Sequence, residues 1–182
     1  MKNKIYLSHT WVDPRVVVKI SPIHGKGLFA ARPIVKDEMI MIWGGVKFKR
    51  TDYVENKYRE LTIVPISEES YLGLPISDQS ESIDEYLNHS CDPTAWLIDE
   101  VTVIASRDIK KGEEITVDSA TWNDDHDYSY SDDNICRCGT RLCRKILSPD
   151  DWMRPDLQKR YAGHFTPFLA KCIQKLKKRK KG

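Results

Sequence analysis

The sequence predicts a mainly β domain of several small sheets followed by C-terminal helices. Three observations carry that expectation: short β-branched runs fill the first two thirds of the chain, turn-forming residues separate them, and helical spacing takes over after Cys143. With 182 residues, 40% of them hydrophobic and 31% charged, the chain fits one domain, or one domain with an appended helical tail. That length buries a sizeable core without disulfide staples.

The elements follow in order. Arg15-Val16-Val17-Val18-Lys19-Ile20 is a β-branched run, and Gly27-Leu28-Phe29-Ala30-Ala31 follows the turn Pro22-Ile23-His24-Gly25-Lys26. Met39-Ile40-Met41-Ile42-Trp43 ends at Gly44-Gly45. Later strands are expected at Leu61-Thr62-Ile63-Val64, Val101-Thr102-Val103-Ile104-Ala105 and Glu114-Ile115-Thr116-Val117, the last preceded by the turn Lys110-Lys111-Gly112-Glu113. Asn123-Asp124-Asp125-His126-Asp127-Tyr128-Ser129-Tyr130 reads as an exposed acidic loop. Ser148-Pro149-Asp150-Asp151 has the form of a helix start, which Pro155 and Gly163 interrupt. Thr166-Pro167 restarts a helix with Phe168, Leu169, Cys172, Ile173 and Leu176 on one face, making Cys172 a core residue rather than a ligand.

Composition bounds the setting. No apolar run approaches the ~20 residues needed to span a bilayer, and the start Met1-Lys2-Asn3-Lys4-Ile5 lacks the apolar stretch of a secretory signal. The expectation is an intracellular protein, cytoplasmic or nuclear, with no membrane partner. The net charge of +2 hides an asymmetry: from Lys171 onward every charged side chain is Lys or Arg, so the remainder is net acidic. The tail reads as a solvated helix end whose cations suit the C-terminal dipole, with nucleic acid or an acidic partner as the weaker reading. Five cysteines in a reducing compartment point to metal ligation, reactive thiols or core packing rather than disulfides.

Spacing decides among these. Cys136-Arg137-Cys138-Gly139-Thr140-Arg141-Leu142-Cys143 is a C-x-C-x4-C cluster, able to wrap one zinc ion. A closed tetrahedral site needs a fourth ligand. Cys91 is the first choice, with His89 and His126 as weaker ones. Two further stretches are weak alone: Gly25-Lys26-Gly27-Leu28, whose backbone could approach a ligand closely, and Asn88-His89-Ser90-Cys91-Asp92-Pro93.

Taken together and in this order, these stretches, with Gly112-Glu113-Glu114-Ile115-Thr116-Val117-Asp118, closely resemble the SET-domain family of protein-lysine methyltransferases with its post-SET zinc segment. The resemblance covers roughly residues 14–147. It implies a β-clip-like fold of several small sheets with a knot-like crossing, divided as a SET domain over 14–119, an acidic loop and zinc segment over 120–147, and a helical extension with a basic tail over 148–182. It implies S-adenosylmethionine held at its methionine end by the backbone of Gly25, Lys26, Gly27 and Leu28 and near the adenine by Asn88 and His89, with Leu142 and Leu147 near the adenine or channel wall. It implies a structural zinc on Cys91, Cys136, Cys138 and Cys143. The partner it implies is a lysine-bearing protein, such as a basic peptide or histone-like tail. The acids Glu68, Glu69, Asp78 and Glu81 would suit such a peptide.

One departure stands out. The family places a tyrosine, the residue most often called catalytic, where this chain has Ser119. Tyr128 or Tyr130 could supply the lost hydroxyl, Tyr86 could share the role, or the domain has lost transfer and acts as a binding module.

Overall fold

The computed structural model describes residues 4–53, 56–124 and 134–179. Three small sheets make the body. In the first, Trp11–Val12 (β1), Met39–Ile42 (β4), Thr102–Ala105 (β10) and Ala95–Leu97 (β9) lie antiparallel in the order β1-β4-β10-β9. In the second, Val16–Ile20 (β2) pairs with Lys26–Ala30 (β3), β3 with Glu114–Val117 (β11), and β11 runs parallel to Asn88–His89 (β8). In the third, Val46–Lys49 (β5), Ser70–Gly73 (β7) and Val64–Ser67 (β6) lie in the order β5-β7-β6. The mainly β expectation holds.

The β-branched and aliphatic runs meet in one apolar core. Leu28, Ile34, Ile40, Met41, Leu72, Leu97, Val103 and Ile115 are all fully buried there. Full burial of one such side chain is worth about 1.5–3 kcal/mol, so this cluster sets the position of the strands that carry the site. The turn before β11 forms as expected: Glu113 N–H donates to Lys110 O at 3.1 Å, and Gly112 takes φ +83°.

Two sequence expectations need correction. The strand expected over residues 61–64 starts only at Val64, because Glu60–Thr62 is a 3-10 turn in which Thr62 Oγ1 donates to Arg59 O at 2.8 Å. Pro65 then sits in β6, an edge strand, where a missing N–H is tolerated. Second, Asp151 opens only a 3-10 turn, Asp151–Met153, and Pro155 begins the helix Pro155–Arg160 (α1) instead of interrupting one. Asp151 is turned inward, its carboxylate accepting from Arg144 Nε at 2.8 Å.

The helix Pro167–Arg179 (α2) forms where its stripe predicts, burying Phe168, Leu169 and Ile173. They join Trp152, Leu157, Tyr161, Phe165 and Ala120 in a second core, with Cys172 and Leu176 half-buried at its edge. Among the described residues no helix is long and apolar enough to cross a membrane.

Candidate functional site

Cys91 lies two residues past the end of β8, and the three other thiols come from a knuckle closed on itself. Cys136 N–H donates to Lys145 O at 2.7 Å and Leu147 N–H to Asn134 O at 2.9 Å, while Gly139 (φ +68°) makes the reversal between the second and third thiols. The sulfurs of Cys91, Cys136, Cys138 and Cys143 all lie within 4.8 Å of one another, with Cys91 and Cys136 3.8 Å apart. A tetrahedron with Zn–S bonds of about 2.3 Å needs sulfurs about 3.8 Å apart, so the donor set and spacing fit zinc. His89 stands beside this set, its Nε2 3.3 Å from Cys91 Sγ, and His126 lies outside the described residues. Burial pushes the Cys91 thiol up to about 11 and Cys136 higher still. At Cys138 burial acts the same way, but hydrogen bonding, from Thr140 first, outweighs it and brings the thiol down to about 6. A metal entering this cluster must therefore displace protons.

Against the knuckle opens a cavity of about 320 Å³. One wall is the loop before β3, with Ile23, His24, Gly25 and Lys26; the other is Ile135, Cys136, Arg137 and Leu147. Tyr86, Asn88, His89, Val117, Ser119 and Trp122 form the floor. Gly25 holds φ +47°, a conformation costly for other residues. Asn88 Nδ2 donates to His24 O at 3.2 Å and Lys26 O at 2.9 Å, pinning that loop. Lys26 Nζ lies 5.0 Å from the centre of the Tyr86 ring.

Several predicted site residues are thus together here: Gly25, Lys26, Tyr86, Asn88, His89, Ser119 and Leu147. Others are not. Leu28 is fully buried in the main core, Gly27 is buried under the loop, and Leu142 is half-buried away from the cavity. Tyr128 and Tyr130 lie outside the described residues.

Ser119 opens a 3-10 turn, Ser119–Thr121, at the end of β11. Its N–H donates to His89 Nδ1 at 3.2 Å, and its Oγ lies 3.1 Å from the same nitrogen. Nδ1 is therefore an acceptor, and the neutral ring carries its proton on Nε2, toward the Cys91 sulfur. Burial depresses the His89 pKa to about 4, which agrees with a neutral ring.

Sequence reasoning missed the charges behind this floor. Asp118, buried, accepts from both Arg144 terminal nitrogens at 2.6 and 2.7 Å, from Tyr161 OH at 2.9 Å and from Ala120 N–H at 3.0 Å. Arg144 also holds Asp151, and its backbone N–H points at Cys91 Sγ at 3.3 Å. Arg160 NH1 donates to Cys91 O at 3.0 Å. The end of α1 is therefore bonded to the thiol site. Trp122 was also missed; its ring packs edge-on against Trp43 with centroids 5.5 Å apart. A charged residue directly after the apolar end of β11 and an arginine directly after Cys143 were the available signals.

A SET domain family model matches residues 25–118, just over half of the chain. The chain belongs to the SET domain family. This SET domain is 29% identical over 163 residues to human histone-lysine N-methyltransferase 2D, an alignment covering 81% of the chain and 3% of that protein. It is 31% identical over 144 residues to a histone-lysine N-methyltransferase, H3 lysine-4 specific, from Chaetomium globosum, covering 70% of the chain and 13% of that protein. The chain thus spans a small fraction of the length of the curated relatives it matches. The crystal structure of the methyltransferase domain of human histone-lysine N-methyltransferase SETMAR superposes with a TM-score of 0.51 at 18% identity, over 73% of this chain and 58% of that one. That likeness establishes the fold.

Proposed function

We propose that this SET domain transfers a methyl group from S-adenosylmethionine to the side-chain amine of a protein lysine, with a zinc ion on Cys91, Cys136, Cys138 and Cys143 fastening one wall of the site. The observation that carries the reading is the cavity itself, bounded by the Asn88-pinned loop on one side and by the thiol knuckle on the other. In this reading residues 14–119 are the SET domain, 120–147 the loop and zinc segment, and 148–182 an extension that braces them.

Bound S-adenosylmethionine supplies an electrophilic methyl on a sulfonium sulfur. The chain orients it: the backbone of residues 24–26 and the Asn88 amide, bonded to that loop and so moved from the adenine end expected of it, receive the amino-acid end, and Leu147 packs near the other. Gly27, Leu28 and Leu142 serve as supports rather than contacts. Trp122, Val117 and Tyr86 line the approach of the lysine with mostly apolar surface. Such a lining disfavours an ammonium ion, whose ordinary pKa is about 10.4, and so favours the neutral amine that attacks. Holding the reactants in line supplies much of the acceleration. Glu68, Glu69, Asp78 and Glu81 suit a basic, histone-like substrate, and an intracellular, reducing location keeps the thiols available for metal.

A second reading has its own observation. The Ser119 hydroxyl contacts His89 and replaces an aromatic wall, so the domain would bind cofactor and zinc and act through protein contact alone. Incubation with a labelled methyl donor and a panel of lysine-rich proteins, with and without chelator, separates the two. Chelator-sensitive labelling supports transfer. Cofactor binding without labelling of any protein supports the silent module.

A further inference from the structure

Glu114 lies where the parts of the loop wall converge. Its neighbour Ile115 is fully buried in the main core, so the alternation of a strand sends Glu114 to the opposite face, toward the loop. There Glu114 Oε1 accepts from Asn88 Nδ2 at 2.8 Å, and its two oxygens accept from Ser21 Oγ at 2.8 and 3.0 Å. Ser21 closes the loop in turn: its Oγ accepts the Ile23 N–H at 2.9 Å and its own N–H donates to Gly25 O at 3.0 Å. Gly27 completes the arrangement. A β-carbon there would collide with Glu114 Oε1 and come within 2.9 Å of its Cδ. Glycine at 27 thus leaves the space the carboxylate occupies, so a β-carbon there would displace it, whereas Gly25 is demanded by its backbone angle.

The Asn88 amide nitrogen faces three acceptors: His24 O, Lys26 O and Glu114 Oε1. Only the NH2 end of an amide can satisfy that surrounding. Asn88 Oδ1 is left as the polar end offered to the cavity that Asn88 lines.

We infer that Glu114 is a positioning residue: it orients the Asn88 amide and shapes residues 21–27 so that Asn88 Oδ1 receives the ammonium group of the methyl donor's amino-acid arm. This rests on the methyl-donor reading above and assigns a role within it. A charge-assisted hydrogen bond fixed in this way discriminates ligands that carry the ammonium from those that lack it.

The test is calorimetric titration of the full chain with S-adenosylmethionine and with 5′-methylthioadenosine, which keeps the nucleoside and sulfur but lacks the amino-acid arm. Glu114→Ala is expected to weaken S-adenosylmethionine by about tenfold or more, one lost hydrogen-bonding group, while 5′-methylthioadenosine stays within about twofold of wild type. Glu114→Gln, which keeps an acceptor for Asn88, recovers most of the loss. Gly27→Ala reproduces the Glu114→Ala pattern, and the double variant is little worse than either single one because both disturb the same contact. Equal weakening of both ligands by Glu114→Ala would mean a merely structural role and overturn the inference, as would unchanged S-adenosylmethionine affinity. A wild-type protein that binds neither ligand overturns the methyl-donor reading itself, a result distinguishable from the other two.

Discussion

The loop wall of the cavity, residues 21–27, is held by hydrogen bonds within the β body, whereas the opposite wall, residues 134–147, hangs on four thiols and one buried arginine. The loop wall joins β2 to β3, and the main core fixes the register of β3 on β11. The knuckle buries little apolar surface of its own beyond Leu147 and the cysteines. A wall with a core tolerates loss of one tie; a wall without one depends on its charges and, in the proposed reading, on a metal held by its thiols. Acid and chelation should therefore act on the knuckle side first.

Breaking the arginine gives the largest effect. Arg144→Ala leaves Asp118 and Asp151 buried without their cation, a loss of about 3–5 kcal/mol. For a chain of this size that lowers Tm by about 10 °C or more, read by calorimetry. Removing the Asp118 charge as well, in an Asp118→Asn, Arg144→Met protein, should recover part of it, with Asp151 still without Arg144.

Acid sharpens the comparison next. His89 is neutral in the fold, its pKa brought to about 4 by burial, against about 6.5 in an unfolded chain. The unfolded chain takes up the proton first. Stability from this group is complete above about pH 6.5 and declines by on the order of 3 kcal/mol as pH falls to about 4. Burial would raise the Asp118 carboxyl, yet Arg144 holds it below its ordinary value, so its contribution persists above about pH 4 and is lost only below. Melting curves between pH 7.5 and 4.5 check this, and a His89→Gln protein should lose most of the decline.

A smaller change is expected at the floor where the walls meet. Ser119→Tyr restores an aromatic hydroxyl beside the cavity and should raise methyl transfer by about tenfold, roughly 1.4 kcal/mol of barrier, at unchanged cofactor affinity. The smallest effect belongs to the tail. Lys177, Lys178 and Arg179 are exposed at the end of α2, so deleting residues 177–182 should shift stability by no more than about 0.5 kcal/mol and leave cofactor affinity unchanged.

The two walls also differed in how far the sequence revealed them. Thiol chemistry is local, and a C-x-C-x4-C spacing limits what the residues can do, so the knuckle was legible along with its distant fourth member Cys91. The β11 strand and the α2 stripe were legible for the same reason, since their periodicities are short-range. Glu114 was read as the first residue of the last strand and Asp118 as the residue that follows it, and the pairing of Arg144 was not foreseen. Their roles arise from partners 26 residues apart in two cases, Asn88 with Glu114 and Asp118 with Arg144. The short pairings of β8 and β9 were missed because two or three residues carry no period. Pro155 was misread because a helix breaker and a helix starter are the same residue in different settings.

In the proposed reading a metal holds one wall of a methyl-donor site. Zinc content and S-adenosylmethionine affinity should be measured on the same preparation before chelation, after it, and after zinc is returned. One zinc per chain is expected, with cofactor affinity falling by about a hundredfold on removal and recovering on return. A protein that contains no zinc, or that binds S-adenosylmethionine equally well without it, would contradict the account.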